Sequence, residues 1–258
     1  IPIVWLVVTS FSKYTGMNTS TFFPKEWGIV NYKNLLFSAD SVAQFPNWFK
    51  NTFLIACATC VISTIFVLMV AYATSCMRFK MRKTLMNVAV ILNLFPGVLS
   101  MIAVYFILKS FNLTNSHIGL ILIYSASSGL GYLIAKGFLD TVPASLREAA
   151  YLDGASEARV FFRVVMPMSK PIIVYTVISS FLVPWMDFVF AKMILNSGVS
   201  SQWTVAIGLY NMLEKSLINT YFTQFCAGGV IVSIPISVLF IIMQKFYVEG
   251  VTGGAVKG

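Results

Sequence analysis

The chain has 258 residues, of which 58% are hydrophobic and only 10% are charged, and its formal net charge is +9. A soluble domain carries about 25% charged residues, so this composition excludes an ordinary water-soluble domain and indicates a polytopic membrane protein. The lysines and arginines lie beside apolar stretches, where they set the orientation of a chain in the membrane. We prefer this interpretation of the positive charge to the alternative that the chain binds nucleic acid.

Six apolar segments predict an all-α chain that crosses a membrane six times. The first, residues 1–11, is shorter than the roughly 20 residues that a span requires. We therefore expect the sequence to begin inside a first helix whose cytoplasmic half is missing. A cleaved signal peptide is less consistent with this segment, because no small-residue cleavage site is seen. The bounds predicted for the other five spans are 52–77, 85–108, 117–136, 172–195 and 220–246.

Proline, glycine and serine predict special geometry inside three of these spans. The tripeptide Phe95-Pro96-Gly97 lies within 85–108, so a kink or local unwinding is expected there. The fourth span is rich in glycine and serine, which favours close packing between helices. Pro235 lies inside the sixth span.

Basic residues assign the loops to the two sides of the membrane. Four cations directly follow the second span and indicate a cytoplasmic loop. They are Arg78, Lys80, Arg82 and Lys83. The loop 138–171 and the tail 247–258 then lie on the same side, so both termini are predicted to be cytoplasmic. The short connection at 109–116 and the longer one at 196–219 are predicted to be external.

The connection at 12–51 is polar with scattered aromatic residues, and it predicts a folded external loop with a short helix near residues 31–36. Trp27, Trp48 and Phe49 suit the aromatic belt at a membrane interface. Stacking of these rings on a sugar is the alternative.

The cysteines do not predict a metal site. Cys57 and Cys60 have the spacing of half a metal-binding or redox motif, but they lie in an uncharged apolar stretch, and the single histidine, His117, is remote. We interpret them as small residues at helix-packing positions. Neither a metal nor a cofactor is predicted.

Residues 141–171 form the longest polar interruption in the second half of the chain, and their pattern predicts two short helices. For the first helix, Pro143 suits the first turn, and Ser145 with Glu148 fits a capping box. Asp153 and Gly154 form a turn pair, in which glycine can take the left-handed conformation that ends a helix.

The second helix of this loop is predicted to begin at Ser156, whose hydroxyl can cap it. Pro167 and Pro171 are predicted to break it. Small or apolar residues on the first helix, including Ala149 and Leu152, would let another surface approach closely. An amphipathic loop lying on lipid headgroups is the alternative.

The order of these parts resembles the Glu-Ala-Ala loop of ATP-binding-cassette importer permeases. The family pattern is Glu-Ala-Ala, two residues, Asp-Gly-Ala, and later Leu-Pro, for which this chain has Met166-Pro167. The resemblance implies that the loop 138–171 contains the coupling helix, which docks into a cleft of a separate ATPase subunit. The residues to which it assigns this contact are Glu148, Ala149, Ala150, Asp153, Gly154, Ala155 and Ser156.

The tail contains glycines and a lysine, as phosphate-binding loops do. No Gly-Lys-Ser/Thr follows a strand, so no nucleotide site is predicted in this chain. The ending instead resembles the Gly-Leu-Thr-x-Gly-x-Val-Lys-Gly tail of carbohydrate-importer permeases, with Val251 in place of leucine. That resemblance implies that Gly253, Gly254 and Lys257 contact the ATPase pair. A tail without fixed structure is the alternative.

Two further places are candidate sites. Asp187, close to Trp185, is the only acidic residue well within a predicted span, and such residues often face a translocation path. Pairing with Lys192 near the external end is an equally weighted alternative. In the external segment 196–219, the resemblance implies that Gln202 and Trp203 reach a docked binding protein; a cap at the lipid interface is the alternative.

A third resemblance concerns residues 95–105 and 135–138, which look like segments of the smaller membrane subunit of maltose/maltodextrin importers. Together the resemblances imply that residues 1–258 form one type-1 permease domain without enzymatic activity. The implied partners are a second permease, two ATPase subunits, an extracytoplasmic sugar-binding protein and the bilayer of a prokaryotic plasma membrane. Alternatives are a permease for another sugar, an ion-coupled secondary transporter, or a structural or insertion factor, although the last two leave the loop unexplained.

Overall fold

The computed structural model describes the backbone of residues 1–17, 21–38, 40, 42–126 and 129–255, and the corresponding side chains except those of 98, 129 and 245–255. Within these residues the fold is almost entirely helical, which confirms the predicted all-α class. One isolated antiparallel bridge joins Ser12 to Trp27.

The helices follow the predicted order, with several spans divided in two. They are α1 (Pro2–Ser10), α2 (Val30–Phe37), α3 (Phe45–Cys76), α4 (Arg82–Leu94), α5 (Gly97–Ser110), α6 (His117–Ala126), α7 (Gly129–Leu139), α8 (Ala144–Leu152), α9 (Glu157–Val160), α10 (Met166–Met168), α11 (Lys170–Met186), α12 (Val189–Ile194), α13 (Val205–Asn211) and α14 (Ile218–Ala255). A π-helical turn (Phe161–Val165) joins α9 to α10, and a 3-10 turn (Ser200–Gln202) precedes α13.

Two of the described helices, α3 and α14, are long and apolar enough to cross a membrane by themselves. Three bent helix pairs also meet the criteria when each pair is taken together, which gives up to five spans. The predicted number of six is therefore not established, since α1 has only nine residues. The kink predicted at Phe95-Pro96-Gly97 is confirmed: α4 ends at Leu94, Phe95 is extended, and α5 begins at Gly97.

The described chain divides into two compact units. The first unit comprises residues 1–56, 108–120 and 182–239. Its core is built from large side chains that are almost fully buried, among them Leu35, Phe45, Trp48, Ile207 and Met212. Buried Asn31 forms hydrogen bonds inside this core: it donates through Nδ2 to the carbonyl oxygens of Ser10 and Ser12, at 3.0 and 2.6 Å, and its Oδ1 accepts from the hydroxyl of Thr223 at 2.9 Å.

The prediction of Trp48 as an interfacial residue is wrong. Its ring is fully buried, and its Nε1 donates a hydrogen bond to the carbonyl oxygen of Ser200 at 2.8 Å. The reason is that α3 begins at Phe45, before the predicted start at residue 52, and its first turns are amphipathic. Helical spacing brings Phe45, Trp48 and Thr52 to one buried face. Trp27 and Phe49 differ, since Trp27 is exposed and Phe49 is half-buried.

The second unit comprises residues 57–107, 121–181 and 240–258. Its apolar core joins α3, α7 and the predicted cytoplasmic loop. Val67 and Ala71 of α3 meet Leu139 of α7, and Val160 and Val165 contribute from the loop. The predicted coupling loop is therefore packed into this unit.

Candidate functional site

The loop leaves α7 at Asp140, which is bound to two other elements. Ser75 near the end of α3 donates through Oγ to Asp140 Oδ1 at 2.6 Å, and Lys136 of α7 forms a salt bridge with Oδ2. Burial raises the pKa of the Asp140 carboxyl, but the bonds from Lys136 and Ser75 outweigh it and hold the pKa below its usual value. The start of the loop is thereby connected to α3.

The predicted capping box at the start of α8 is wrong. Pro143 was predicted to lie in the first turn, but it occupies the cap position directly before the helix, with an extended ψ of 127°. No side chain caps the helix. In a capping box the serine is the cap residue, and its hydroxyl accepts a hydrogen bond from the N–H of the third helical residue. Ser145 is instead the second helical residue, so its hydroxyl is not placed to form this bond. Glu148 is consequently not engaged in a cap, and its side chain is exposed.

The end of α8 confirms the prediction for Gly154, which has a φ of +75°. The N–H of Gly154 donates to the carbonyl of Tyr151 at 3.0 Å, and the N–H of Ala155 donates to the carbonyl of Ala150 at 2.9 Å. This pair of bonds is the Schellman motif, which satisfies carbonyls at the end of a helix and requires the left-handed residue that glycine supplies.

Ser156 caps the second helix as predicted, with Oγ accepting from the N–H of Arg159 at 3.4 Å. The prediction that Pro167 breaks this helix is wrong, because helical structure continues through the π turn to Met168. In that turn the N–H of Met166 donates a hydrogen bond to the carbonyl oxygen of Phe161, five residues earlier. This change of hydrogen-bond pattern accommodates Pro167, which has no N–H to donate.

The break occurs instead at Ser169, and the segment before it is bent by 84° from α11. The hydroxyl of Ser169 donates to the carbonyl of Val165 at 2.7 Å, while its N–H bonds to Met166. Pro171 falls in the first turn of α11, where its missing N–H is tolerated.

A three-residue cluster holds the two loop helices to α3, and we call it the tyrosine clamp. Tyr72 of α3 donates to Glu157 Oε1, and Tyr151 of α8 donates to Glu157 Oε2, each at 2.6 Å. Burial raises the pKa of Tyr151, and the hydrogen bond to Glu157 raises it further. The Tyr72 ring also meets Phe161 edge to face, with centroids 4.9 Å apart.

Sequence reasoning missed the tyrosine clamp, because it assigned no role to Glu157. The available signal was a tyrosine one turn before the end of an apolar span. A hydroxyl at that depth needs a partner, and the polar loop is where a partner could be found.

The predicted contact residues of α8 divide into two sets. Ala150 and Ala155 are half-buried against the core of the second unit, whereas the other five are exposed, namely Glu148, Ala149, Asp153, Gly154 and Ser156. Leu152 beside them is 89% exposed. The Glu-Ala-Ala pattern therefore combines an outward-facing surface with an inward-facing anchor.

The first unit contains the other two candidate sites. The carboxylate of Asp187 accepts hydrogen bonds from the backbone N–H groups of Phe190 and Ala191, at 3.2 and 3.0 Å, and so caps the start of α12. Trp185 is buried and meets Phe49 edge to face, with centroids 5.3 Å apart. This capping role was not anticipated from the sequence.

Trp203 is 9% exposed and lies in an aromatic cluster with Trp48, the ring centroids being 6.2 Å apart. The Lys192 ammonium lies 5.0 Å from the centroid of the Trp203 ring. Gln202 is exposed, and its carbonyl oxygen lies 2.9 Å from His117 Nε2. Of the two predicted contact residues, Gln202 is therefore exposed and Trp203 is buried.

In the tail, the backbone of α14 remains helical through Gly253 and Gly254 to Ala255, and Lys257 lies outside the described residues. Three cysteines are half-buried and Cys226 is buried, all as free thiols. Cys60 Sγ lies 3.6 Å from the carbonyl oxygen of Val177. In the described part of the chain, no group of three or more His, Cys, Asp or Glu residues is placed to hold a metal ion.

The fold is similar to that of a solved importer. A chain in the crystal structure of a bacterial ABC transporter involved in the import of the acidic polysaccharide alginate matches with a TM-score of 0.76 at 21% identity. The match covers 95% of this chain and 90% of that chain.

Relatives are similar along nearly the whole length. The galactooligosaccharides transport system permease protein GanQ of Bacillus subtilis is 33% identical over 258 residues, 100% of this chain and 90% of that protein. The maltose/maltodextrin permease MalG of Vibrio vulnificus is 30% identical over 272 residues, with the same two coverages. Residues 73–253 match the family described as binding-protein-dependent transport system inner membrane component. The chain therefore belongs to this family of multi-pass ABC transporter permease subunits, which are not themselves enzymes.

Proposed function

We propose that this chain is one of two permease subunits of an ATP-driven, binding-protein-dependent oligosaccharide importer. It forms the translocation path with a second, homologous permease. Two ATP-binding-cassette subunits bind on the cytoplasmic side, where both termini lie, and a sugar-binding protein docks on the outside. ATP hydrolysis belongs to the ATPase subunits, and this chain performs no covalent chemistry.

The observation that carries this proposal is a short helix with a fixed end and an open outer face. Leu146, Ala149 and Leu152 of α8 recur every third residue, and all three are exposed. The small Ala149 lets a partner approach between two larger apolar side chains, and Glu148 offers a carboxylate beside them. This face is the surface that we assign to the ATPase cleft, which makes α8 the coupling helix.

Contacts behind α8 supply a route by which ATPase closure reaches the membrane. The tyrosine clamp connects Tyr151 of α8 through Glu157 to Tyr72 of α3. The bond between Ser75 and Asp140 is a second link between α3 and the loop. Movement of α8 would be transmitted to the cytoplasmic end of α3 through these polar bonds and through Ala150 in the core.

The substrate class is supported by the relatives, whose names specify galactooligosaccharides, maltodextrin and maltose/maltodextrin. We propose an oligosaccharide of this kind, with maltodextrin as the sugar that the resemblances favoured and a galactooligosaccharide as the alternative. Asp187 is proposed to face the path, with the buried Trp185 supporting it. Gln202 is proposed to belong to the surface that meets the binding protein, with the buried Trp203 supporting that surface. Gly253, Gly254 and Lys257 are proposed to contact the ATPase pair.

Co-purification followed by reconstitution tests the proposal. The tagged chain, purified from membranes, should bring down a second permease and an ATPase, which mass spectrometry can identify. In vesicles, ATP hydrolysis by this complex should rise when a binding protein and its sugar are added. Maltodextrins and galactooligosaccharides should be compared in parallel. A chain that purifies alone and transports sugar in response to an ion gradient would contradict the proposal in favour of a secondary transporter.

A further inference from the structure

A basic pocket lies in the second unit at the point where α4 begins. Its volume is about 830 Å³, and five of its eight lining residues are cations. The lining residues are Arg78, Phe79, Lys80, Arg82, Lys83, Met86, Asn87 and Lys136. The proposed transport function does not use this pocket.

The charge of the basic pocket is largely uncompensated. Lys136 is paired with Asp140, but the other four cations have no carboxylate within 4.0 Å among the side chains that the structure describes. Like charges that line one pocket repel one another, so an anion bound among them would be stabilising.

The start of α4 adds to the positive potential. Arg82 and Lys83 are the first two residues of the helix, its first turn has no acidic residue, and no side chain caps it. The first N–H groups of a helix carry partial positive charge and need acceptors. The same pocket therefore offers charged side chains and a helix of 13 residues with an uncapped N-terminus.

The surface beside the basic pocket is apolar, which favours an anion that carries a hydrophobic part over a fully polar one. No residue of α4 is buried, and Leu85, Val88 and Ile91 are exposed at helical spacing. Together with α5, this helix forms one of the bent pairs that are apolar enough to cross a membrane. A ligand seated among the cations would thus continue onto an apolar strip that enters the bilayer.

We propose that the basic pocket binds the phosphate headgroup of an anionic glycerophospholipid whose acyl chains lie along α4. Guanidinium groups such as that of Arg82 can donate two parallel N–H bonds to phosphate oxygens, and the lysines add point charges. The headgroup lies where an apolar span meets water, which is the depth at which basic pockets recognise such lipids. A soluble phosphate would leave the apolar strip unused.

Native mass spectrometry of the intact purified complex tests this site, with phosphatidylglycerol as the probe and phosphatidylcholine as the neutral lipid. We expect wild type to retain phosphatidylglycerol preferentially. The double variant Arg82→Gln/Lys83→Gln should weaken that retention by about thirtyfold, because two of the cations are lost. Lys80→Gln, at an exposed position in the turn before α4, is a second variant that does not depend on the folding of α4.

The matched control is Arg159→Gln/Arg163→Gln, which removes two exposed cations from the same unit but outside the basic pocket. It should leave lipid retention unchanged. Equal retention of the two lipids by wild type, or equal losses in the pocket and control variants, would overturn the proposal. Displacement of the lipid by millimolar inorganic phosphate would show a simple anion site and would also overturn it.

Discussion

Two connections between spans are held in different ways. Residues 196–219 contain α13 and are predicted to be external, so we call them the outer segment. Residues 138–171 contain α8 and are predicted to be cytoplasmic, so we call them the inner loop. Trp48 and Trp203 bury large rings in the first unit, and Asn51 donates to two carbonyl oxygens of the outer segment, at 2.8 and 3.0 Å. The inner loop is held by alanines and by the tyrosine clamp.

This difference in packing predicts which substitutions should impair folding and which should impair coupling. Removing or overpacking a buried aromatic ring costs folding energy directly. The inner loop leaves much of its surface exposed and depends on a few polar bonds, so changes there should impair coupling while the protein still inserts. The following variants test this contrast, in order of decreasing effect.

Gly208→Ala in α13 should have the largest effect. A Cβ at this position would overlap the ring of the buried Trp48, and such overpacking costs roughly 1–3 kcal/mol. We expect a lower yield of inserted protein and a lower unfolding temperature of the purified complex, measured by thermal denaturation in detergent.

The matched control is Gly137→Ala in α7 of the second unit, where an added Cβ meets no atom within 4 Å. Alanine favours a helix over glycine, so yield and unfolding temperature should be unchanged or slightly higher. Equal losses in the two variants would refute the contrast between the regions.

Tyr72→Phe should separate coupling from folding. It keeps the ring against Phe161 but removes one of the two hydrogen bonds to Glu157, at a cost of about 1–2 kcal/mol. Stimulated ATP hydrolysis and sugar uptake should fall, while insertion is retained. Vesicle assays set beside the yield of complex measure both.

Tyr175→Phe is the control, because Tyr175 packs against the same core and makes no hydrogen bond to the described residues. It should leave stimulated hydrolysis unchanged. If Tyr72→Phe were equally silent, the tyrosine clamp would not be part of the coupling route.

Gly154→Ala and Gly198→Ala introduce the same backbone strain, one into the inner loop and the other into the outer segment. Their φ values are +75° and +74°, and neither has a neighbouring atom within 4 Å of an added Cβ. Each substitution should cost about 1 kcal/mol. Only Gly154→Ala should weaken retention of the ATPase subunits during purification, because it disturbs the Schellman end of α8. Equal retention in both variants would remove the special role of this turn.

Asp187→Asn should have the smallest effect. An amide oxygen can still accept from the N–H groups at the start of α12, so the loss of capping should be below about 1 kcal/mol. If Asp187 faces the translocation path, Asp187→Leu should lower transport in vesicles much more than it lowers the yield of complex. Parallel losses of transport and yield would identify a purely structural cap.

Local chemistry was predictable where one residue decides the conformation. Gly154 and Phe95-Pro96-Gly97 act through their own backbone preferences, and Ser156 acts through its own hydroxyl. Each was predicted from sequence and confirmed. Trp48 was misplaced because hydropathy does not register an amphipathic extension of a span. Pro167 was misjudged because a π turn, which depends on packing around Val160 and Val165, accommodates it.

The tyrosine clamp could not be derived from sequence alone, since it joins residues 85 positions apart. The family pattern identified α8, but it did not say which of its residues face outward. That division depends on the angle at which α8 lies against the core, and only the structure shows that Ala149 is exposed while Ala150 is half-buried.

Site-specific cross-linking tests the assignment of α8 as the coupling helix most directly. Single cysteines at Ala149 and Leu152, in a chain whose four native cysteines are replaced, should cross-link to the ATPase subunit, and the yield should change with the bound nucleotide. A cysteine at Ala150, the inward-facing neighbour, should react far less. If neither exposed position forms the cross-link in any nucleotide state, or if Ala150 reacts as well as Ala149, the coupling-helix assignment is contradicted.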